Sequence, residues 1–200
     1  TRDVLIPRGD TEVLVETSLQ LLSQVTEKSP HVLDMCTGSG CVGITIALED
    51  SRSLLTLSDI SDKALEVVAT NIENLGAKHV SLIQSDLFSA LEGEKFSLIC
   101  SNPPYIAPQW YEICSQEVHN EPTLALIDHS SDGLDILRKI IRLSPLHLHK
   151  NGYLVVECDY RQIAEVMRLF REQGFSDVTS YKDLGDRQRV VSGRYTCTKS

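Results

Sequence analysis

Four consecutive residues, Asn102-Pro103-Pro104-Tyr105, carry the densest chemistry in the chain. Two successive prolines give up two backbone donors and keep their carbonyl acceptors. Asn102 adds a side-chain acceptor and donor, and Tyr105 a flat face. Such a set can hold a planar NH2 group by both hydrogens and leave the outer face of its nitrogen free. That chemistry suits transfer of a group onto an amide or amino nitrogen. The motif follows the apolar run Phe96 to Cys100, which reads as a buried strand. It therefore stands at a strand's carboxyl end, where open α/β sheets bind ligands.

A second constellation precedes it. Gly38-Ser39-Gly40-Cys41-Val42-Gly43 follows the strand-like run His31 to Cys36, opens a helix-like stretch, and is followed by Asp59. That matches the dinucleotide fingerprint, which places an acid about 20 residues on, so a nicotinamide or flavin enzyme is one reading. Two features favour a different ligand. Asp34, ahead of the glycines, suits the amino group of a methionine-like ligand and would repel a pyrophosphate. Asp86 and the Asn-Pro-Pro-Tyr turn line the same sheet edge, and hydride transfer explains neither. An S-adenosylmethionine pocket explains both. In it Asp59 accepts from the two ribose hydroxyls, Asp86 accepts from the adenine amino group, and Gly38 and Gly40 let the backbone approach the methionine part. The remaining alternative is that these two glycines form a tight turn with no ligand.

Strand-like and helix-like patterns alternate around these residues. Strands are expected over His31 to Cys36, Leu54 to Ile60, Val80 to Gln84, Phe96 to Ser101, Gly152 to Cys158, Asp177 to Leu184 and Arg189 to Tyr195. Leu65, Val68, Ile72 and Leu75 recur at helical spacing, with Gly76 placed as a C-cap. A helix after Ser131-Asp132 carries Leu134, Leu137 and Ile141. Another carries Ile163, Val166, Met167 and Phe170 and stops at Gly174. Ile106 to Asp132 is a long irregular connection, of a length that is usually functional. Repeated strand-helix units imply a parallel sheet covered on both faces. The last two strands leave no room for a helix between them and close as an antiparallel hairpin around Gly185-Asp186-Arg187. The expected fold is α/β, three-layered and Rossmann-like, with seven strands.

Bulk properties narrow the partners. The 200 residues suit one domain, and a net charge of −9 with no Lys/Arg cluster disfavours direct nucleic-acid binding. No apolar run approaches the ~20 residues of a membrane helix, and no secretory signal pattern is present. The six cysteines contain no C-x-x-C pair, which points to reduced thiols in a cytoplasmic protein. Cys36, Cys100 and Cys158 end three strands that should be neighbours, as buried structural thiols in preference to a metal or redox site. No metal is expected, and a monomer is the default.

Taken together, the motifs resemble the HemK-type protein-glutamine N5-methyltransferases, which methylate the Gly-Gly-Gln glutamine of peptide chain release factors. The resemblance spans nearly the whole chain. It runs from Val4-Leu5-Ile6-Pro7-Arg8-Gly9-Asp10-Thr11-Glu12, through Asp34 to Gly40, Asp59, Ser85-Asp86-Leu87-Phe88, Ser101 to Ile106 and Glu121-Pro122, to Gly185-Asp186-Arg187 and Gly193-Arg194-Tyr195. The Asn-Pro-Pro-Tyr motif is shared with enzymes that methylate amino groups of nucleic-acid bases. The opening Ile-Pro-Arg-x-Asp-Thr-Glu segment is much more specific. The resemblance implies a class I S-adenosylmethionine-dependent fold, with S-adenosylhomocysteine as product. It implies cofactor contacts from Thr37, Ile60, Leu87 and Asn102 beside Asp34, Gly38, Gly40, Asp59 and Asp86. It also implies substrate contacts from Asn102, Pro103, Pro104, Tyr105, Arg8 and Glu121. Residues 1–200 would be the catalytic domain, and the family's N-terminal helical docking domain is absent from this stretch.

Three departures stand out: Cys36 and Gly9 replace the usual Gly and Pro, and Cys158-Asp159 follows Glu157 in place of a polar-Gly pair. Cys36 is expected to weaken cofactor binding without abolishing it. Asn102 and Pro103 would act catalytically as preorganised acceptors, with Tyr105 packed against the substrate side chain. Arg8, Thr11 and Glu12 either line the substrate side, or Asp10 or Thr11 caps the helix that follows. Glu157 either lies near the substrate or caps the next helix. Trp110 is a partner contact or a local anchor. Three other functions remain to be separated: methylation of a base amino group, nicotinamide oxidoreduction, and an inactive cofactor-binding module.

Overall fold

The computed structural model describes residues 4–116 and 118–196. Its strands are β1 His31–Met35, β2 Leu54–Asp59, β3 Val80–Gln84, β4 Phe96–Ser101, β5 Leu148–Glu157, β6 Phe175–Lys182 and β7 Gln188–Tyr195. Its helices are α1 Glu12–Leu22, α2 Cys41–Glu49, α3 Asp62–Leu75, α4 Pro108–Tyr111, α5 Asp135–His147 and α6 Ile163–Glu172. The strands form one sheet in the order β3-β2-β1-β4-β5-β7-β6. The first five are parallel, and β7 runs antiparallel to both β5 and β6. This is the seven-stranded, mostly parallel sheet with a closing hairpin that the alternating patterns predict.

From β1 the chain builds outward to β2 and β3, then returns to place β4 on the other side of β1. That reversal opens a crevice at the strands' carboxyl ends, where doubly wound sheets bind ligands. In register, Asp34 lies beside Cys100 and Met35 beside Ser101. Strand pairing thus sets the acid of β1 and the Asn-Pro-Pro-Tyr turn after β4 on the two lips of one crevice.

Alternation along the strands sorts the core into two layers. Leu33, Met35, Ile99, Leu154 and Val156 pack under Leu137, Ile141, Val166 and Phe170 of α5 and α6. Val32, Leu98, Leu55 and Leu57 pack under Leu14, Leu22, Ile44 and Val68 of α1, α2 and α3. Burying each such side chain contributes about 1.5–3 kcal/mol.

Strand ends shift by one or two residues from the sequence expectation, as in β6, which begins at Phe175 and not Asp177, and three larger differences stand out. β5 starts at Leu148, four residues before Gly152, because its pairing with β4 shifts register between Phe96 and Leu98. A Cβ on Gly152 would stand 3.0 Å from the His149 carbonyl oxygen and 3.1 Å from that of Phe96, so this irregularity needs glycine. The buried stripe of α3 is Ala64 and Val68, with Ile72 partly packed, whereas Leu75 is exposed. The connection after β4 is more ordered than expected. It contains α4 and turns at Val118–Asn120 and Thr123–Ala125. A parallel bridge between Ile106 and Ile127 closes its base, with Ile106 N donating to the Leu126 carbonyl at 3.0 Å and Asp128 N to that of Ile106 at 3.1 Å. Among the described residues no helix is long and apolar enough to cross a membrane.

Candidate active site

Asp34 points from β1 toward α2 and is almost fully buried (1% exposed). Its Oδ2 accepts from Thr37 Oγ1 at 2.5 Å and from Gly43 N at 2.9 Å, while Oδ1 has only a long contact from the Cys100 thiol, 3.9 Å. Burial pushes its pKa from 3.8 up to about 6, and the Asp59 carboxylate adds to the rise. A buried carboxylate with one nearly unpartnered oxygen is suited to a cation.

Each glycine of the loop has its own reason. Gly38 has φ +56, a conformation that side chains rarely adopt, and open space where its Cβ would be. A Cβ on Gly40 would meet Ile44 Cδ1 and Val68 Cγ1, each at 2.9 Å, so this position is held by packing of α2 against α3 more than by a ligand. A Cβ on Gly43 would lie 2.7 Å from Leu57 Cδ1 and 2.9 Å from Asp34 Oδ2. Cys36 also has positive φ (58°), a conformation that favours glycine. Burial pushes its thiol up to about 12, so it stays neutral.

Asp59 ends β2. Its Oδ2 accepts from Gly38 N at 2.9 Å and its Oδ1 from Ser61 N at 3.0 Å. Each oxygen keeps a second lone pair for a hydroxyl. Asp34, Cys36, Thr37, Gly38, Asp59 and Ile60 share the walls of a cleft of about 260 Å³, which Leu5, Thr11, Asn102, Pro104 and Leu124 complete from the other lip. Ile60 is half exposed there and offers an apolar face to a flat ring. The donor set fits S-adenosylmethionine: a buried acid for its ammonium, a second acid for its ribose, and a glycine turn between them. Asp86 and Leu87 stand beside this cleft at the end of β3 and are not among its walls; Asp86 is exposed.

A second, smaller pocket of about 80 Å³ adjoins it and is lined by Leu5, Arg8, Thr11, Asn102, Pro103, Tyr105 and Glu157, among others. Leu5, Thr11 and Asn102 line both spaces. Asn102 Nδ2 donates to Thr11 Oγ1 at 3.3 Å, which leaves the amide oxygen for another partner. The Tyr105 hydroxyl donates to Glu157 Oε1 at 3.0 Å. Glu157 is buried, and its Oε2 has no hydrogen-bond partner among the described residues. Burial raises its pKa, while Thr11, Tyr105 and the Arg189 guanidinium oppose the rise. Arg8, at the pocket wall, pairs with Glu121 at 2.9 Å.

Several open readings close on this geometry. Thr11 is the residue at the N-terminus of α1, yet its side chain makes no capping bond and faces Asn102. Glu157 faces Tyr105 and does not cap α6. Glu12 is exposed and lines neither space. The Trp110 ring carries the Arg161 guanidinium at 3.7 Å, and Asp159 holds that guanidinium at 2.7 Å, so Trp110 anchors α4 locally. Cys36, Cys100 and Cys158 follow or end the adjacent strands β1, β4 and β5; Cys197 lies outside the described residues. Sequence reasoning missed two supports. Gln162 Nε2 donates to the carbonyls of Tyr105, Asp132 and Gly133 at 3.0, 2.8 and 3.1 Å. Arg189 lies 3.3 Å from Asp10 and 3.1 Å from Asp183. Neither residue type nor local spacing signals such long-range partners.

This sheet, with its acids at the ends of β1 and β2 and the Asn-Pro-Pro-Tyr turn after β4, defines a class I methyltransferase. Solved structures share the fold: the ribosomal protein L11 methylase of Lactobacillus delbrueckii (TM-score 0.68, 19% identity, covering 97% of this chain and 82% of that one), and the hMettl16 catalytic domain (TM-score 0.72, 15% identity, 99% and 73%). The family description "Methyltransferase small domain" matches residues 11–121. Release factor glutamine methyltransferase of Xylella fastidiosa is 40% identical over 190 residues, 95% of this chain and 68% of the relative. That of Fusobacterium nucleatum is also 40% identical, over 94% of this chain and 53% of the relative, so the chain spans about half to two thirds of the length of these relatives. The chain belongs to the release factor glutamine methyltransferase family.

Proposed function

We propose that the chain transfers a methyl group from S-adenosylmethionine to the side-chain amide nitrogen of the Gly-Gly-Gln glutamine of a peptide chain release factor, acting as a monomer and as the catalytic domain of its family. One observation carries the reading: Asn102 lines both the larger cleft and the smaller pocket, so one side chain faces cofactor and acceptor together. Asp34 would hold the cofactor's ammonium, Asp59 its ribose, and Thr37, Gly38 and Ile60 the space between, with Asp86 and Leu87 at the adenine edge. When bound, the cofactor supplies an electrophilic methyl on a sulfonium.

A glutamine amide nitrogen is a poor nucleophile because its lone pair is delocalised into the carbonyl. The Asn102 amide oxygen and the Pro103 carbonyl each accept one amide hydrogen. Those bonds strengthen as positive charge grows on nitrogen and so favour the transition state; as the nitrogen–carbon bond forms the methyl–sulfur bond would break, S-adenosylhomocysteine would leave, and one amide hydrogen would be lost as a proton to water. Thr11, taking the Asn102 NH2 group, fixes which end of that amide faces the substrate. Tyr105 walls the acceptor's chain, Pro104 faces the larger cleft, and the Arg8–Glu121 pair stands at the pocket's edge.

The test is incubation with labelled S-adenosylmethionine and a release factor carrying Gly-Gly-Gln. One methyl on that glutamine is expected, and none when it is replaced by alanine. Label on a nucleic acid instead, or a preference for NADH over S-adenosylhomocysteine in calorimetry, overturns the reading.

A further inference from the structure

We propose that Glu157 is a substrate-binding residue: its Oε2, as a hydroxyl, donates a hydrogen bond to the side-chain carbonyl of the acceptor glutamine. The inference deepens the function proposed above and rests on it. A glutamine amide presents two donors on nitrogen and an acceptor on oxygen. Asn102 and Pro103 account for the two donors. The acceptor needs a donor, and the acceptor-rich motif has none to give.

Glu157 stands in the wall of the same small pocket. Its two oxygens are unequal: Oε1 receives the Tyr105 hydroxyl, and Oε2 is buried with no hydrogen-bond partner among the described residues, with the Thr11 hydroxyl the nearest side-chain donor besides Tyr105. A buried polar atom left unmatched costs about 1–3 kcal/mol, so such atoms in a folded protein are usually there for something. As a neutral carboxyl group, Glu157 has Oε1 as its accepting carbonyl oxygen and Oε2 as a hydroxyl within the pocket wall. The groups around it pull both ways: burial, the largest influence, favours the neutral form together with Asp10, against Thr11, Tyr105 and Arg189. Arg189 is itself occupied by Asp10 and Asp183.

The consequence is orientation. In a free amide the oxygen is the more reactive atom toward alkylating agents. A donor on the oxygen and two acceptors on the nitrogen fit the amide in one orientation and turn its nitrogen toward Asn102, which also lines the larger cleft. Flipping the amide sets NH2 against a donor and oxygen against two acceptors. Such a bond draws lone-pair density toward oxygen, so it does not accelerate the displacement. Its effect belongs mainly on substrate binding.

The experiment compares wild type, E157A and E157Q in steady-state methylation of a Gly-Gly-Gln release factor, with S-adenosylhomocysteine affinity measured alongside. Glu157 does not line the larger cleft, so that affinity reports folding and is expected to stay within about twofold. E157A is expected to raise KM for the release factor about ten- to hundredfold, with a smaller change in kcat. E157Q keeps an acceptor toward Tyr105 and a neutral NH2 donor toward the pocket, and is expected to restore most of the loss. Wild-type kinetics in E157A, or an E157Q as damaged as E157A, overturns the proposal while leaving the methyltransferase reading intact. An inactive wild-type chain that binds S-adenosylhomocysteine overturns both.

Discussion

If Asp34 holds the cofactor's ammonium as proposed, folding and cofactor binding are expected to respond to pH in opposite directions. Its carboxyl moves from 3.8 to about 6 on folding, chiefly by burial. At about 1.4 kcal/mol per tenfold change in proton affinity, that is about 3 kcal/mol. The sign follows from linkage: the folded chain holds this proton more tightly than the unfolded chain, so the contribution is present in full below about pH 3.8 and is lost as pH rises through about 6. Roughly half of the loss falls between pH 5 and pH 8. In D34N the amide oxygen can keep the bonds from Thr37 and Gly43 without ionising. Relative to wild type, D34N is therefore expected to gain about 1.5 kcal/mol between pH 5 and pH 8 in urea unfolding. Binding of a ligand ammonium needs the ionised carboxylate, so wild-type affinity for S-adenosylhomocysteine is expected to fall about tenfold from pH 8 to pH 5. D34N binds more weakly and without that slope. Parallel stability curves for the two proteins, or the same binding slope in D34N, would refute the reasoning.

N102A is expected to lower kcat by about 10²–10³-fold with S-adenosylhomocysteine affinity little changed; an equal loss of both in calorimetry and turnover would remove Asn102 from the chemical step. G43A forces a methyl to 2.7 Å from Leu57 Cδ1, an overpacking expected to cost about 1–3 kcal/mol in thermal unfolding and to weaken cofactor binding by displacing Asp34. C36G relieves a side chain at φ 58, a strain of about 1–2 kcal/mol, against about 0.5–1 kcal/mol of extra backbone freedom when unfolded. A net gain of up to about 1 kcal/mol is expected in chemical denaturation, and a loss would show that the thiol's packing outweighs the strain.

The strands were legible because their signals are local: apolar runs of strand length punctuated by glycines, prolines and acids. So were Asp34, Gly38 and Asp59, because a strand end followed by a glycine turn has few structural meanings. The β5 start was not, since a register slip against β4 depends on a partner strand and not on the polar residues His149 to Asn151. Nor was the face of α3, where four apolar residues at helical spacing did not say that Leu75 would overhang the sheet. The supporting shell was least legible. Thr11 and Asn102 are 91 residues apart, and Tyr105 and Glu157 are 52 apart. Short polar residues acquire such roles only once strand order brings them together, and Gln162, bonded to three carbonyls, had no pattern to betray it.

The bridge between Ile106 and Ile127 has a bearing on how such proteins diversify. The chain leaves the reactive turn, makes an excursion of some twenty residues that includes α4, and returns to within one hydrogen-bonded pair of where it left. Gln162 grips the backbone on both sides of that junction, at Tyr105 and at Asp132 and Gly133. The junction is thereby held in place, while the excursion itself sends Leu124 and Ala125 to the larger cleft and Val118, Ala125 and Leu126 to the smaller pocket. A change in its length or composition would therefore reshape one wall of both spaces, while the strand ends that carry Asp34, Asp59 and Asn102 keep their places in the sheet.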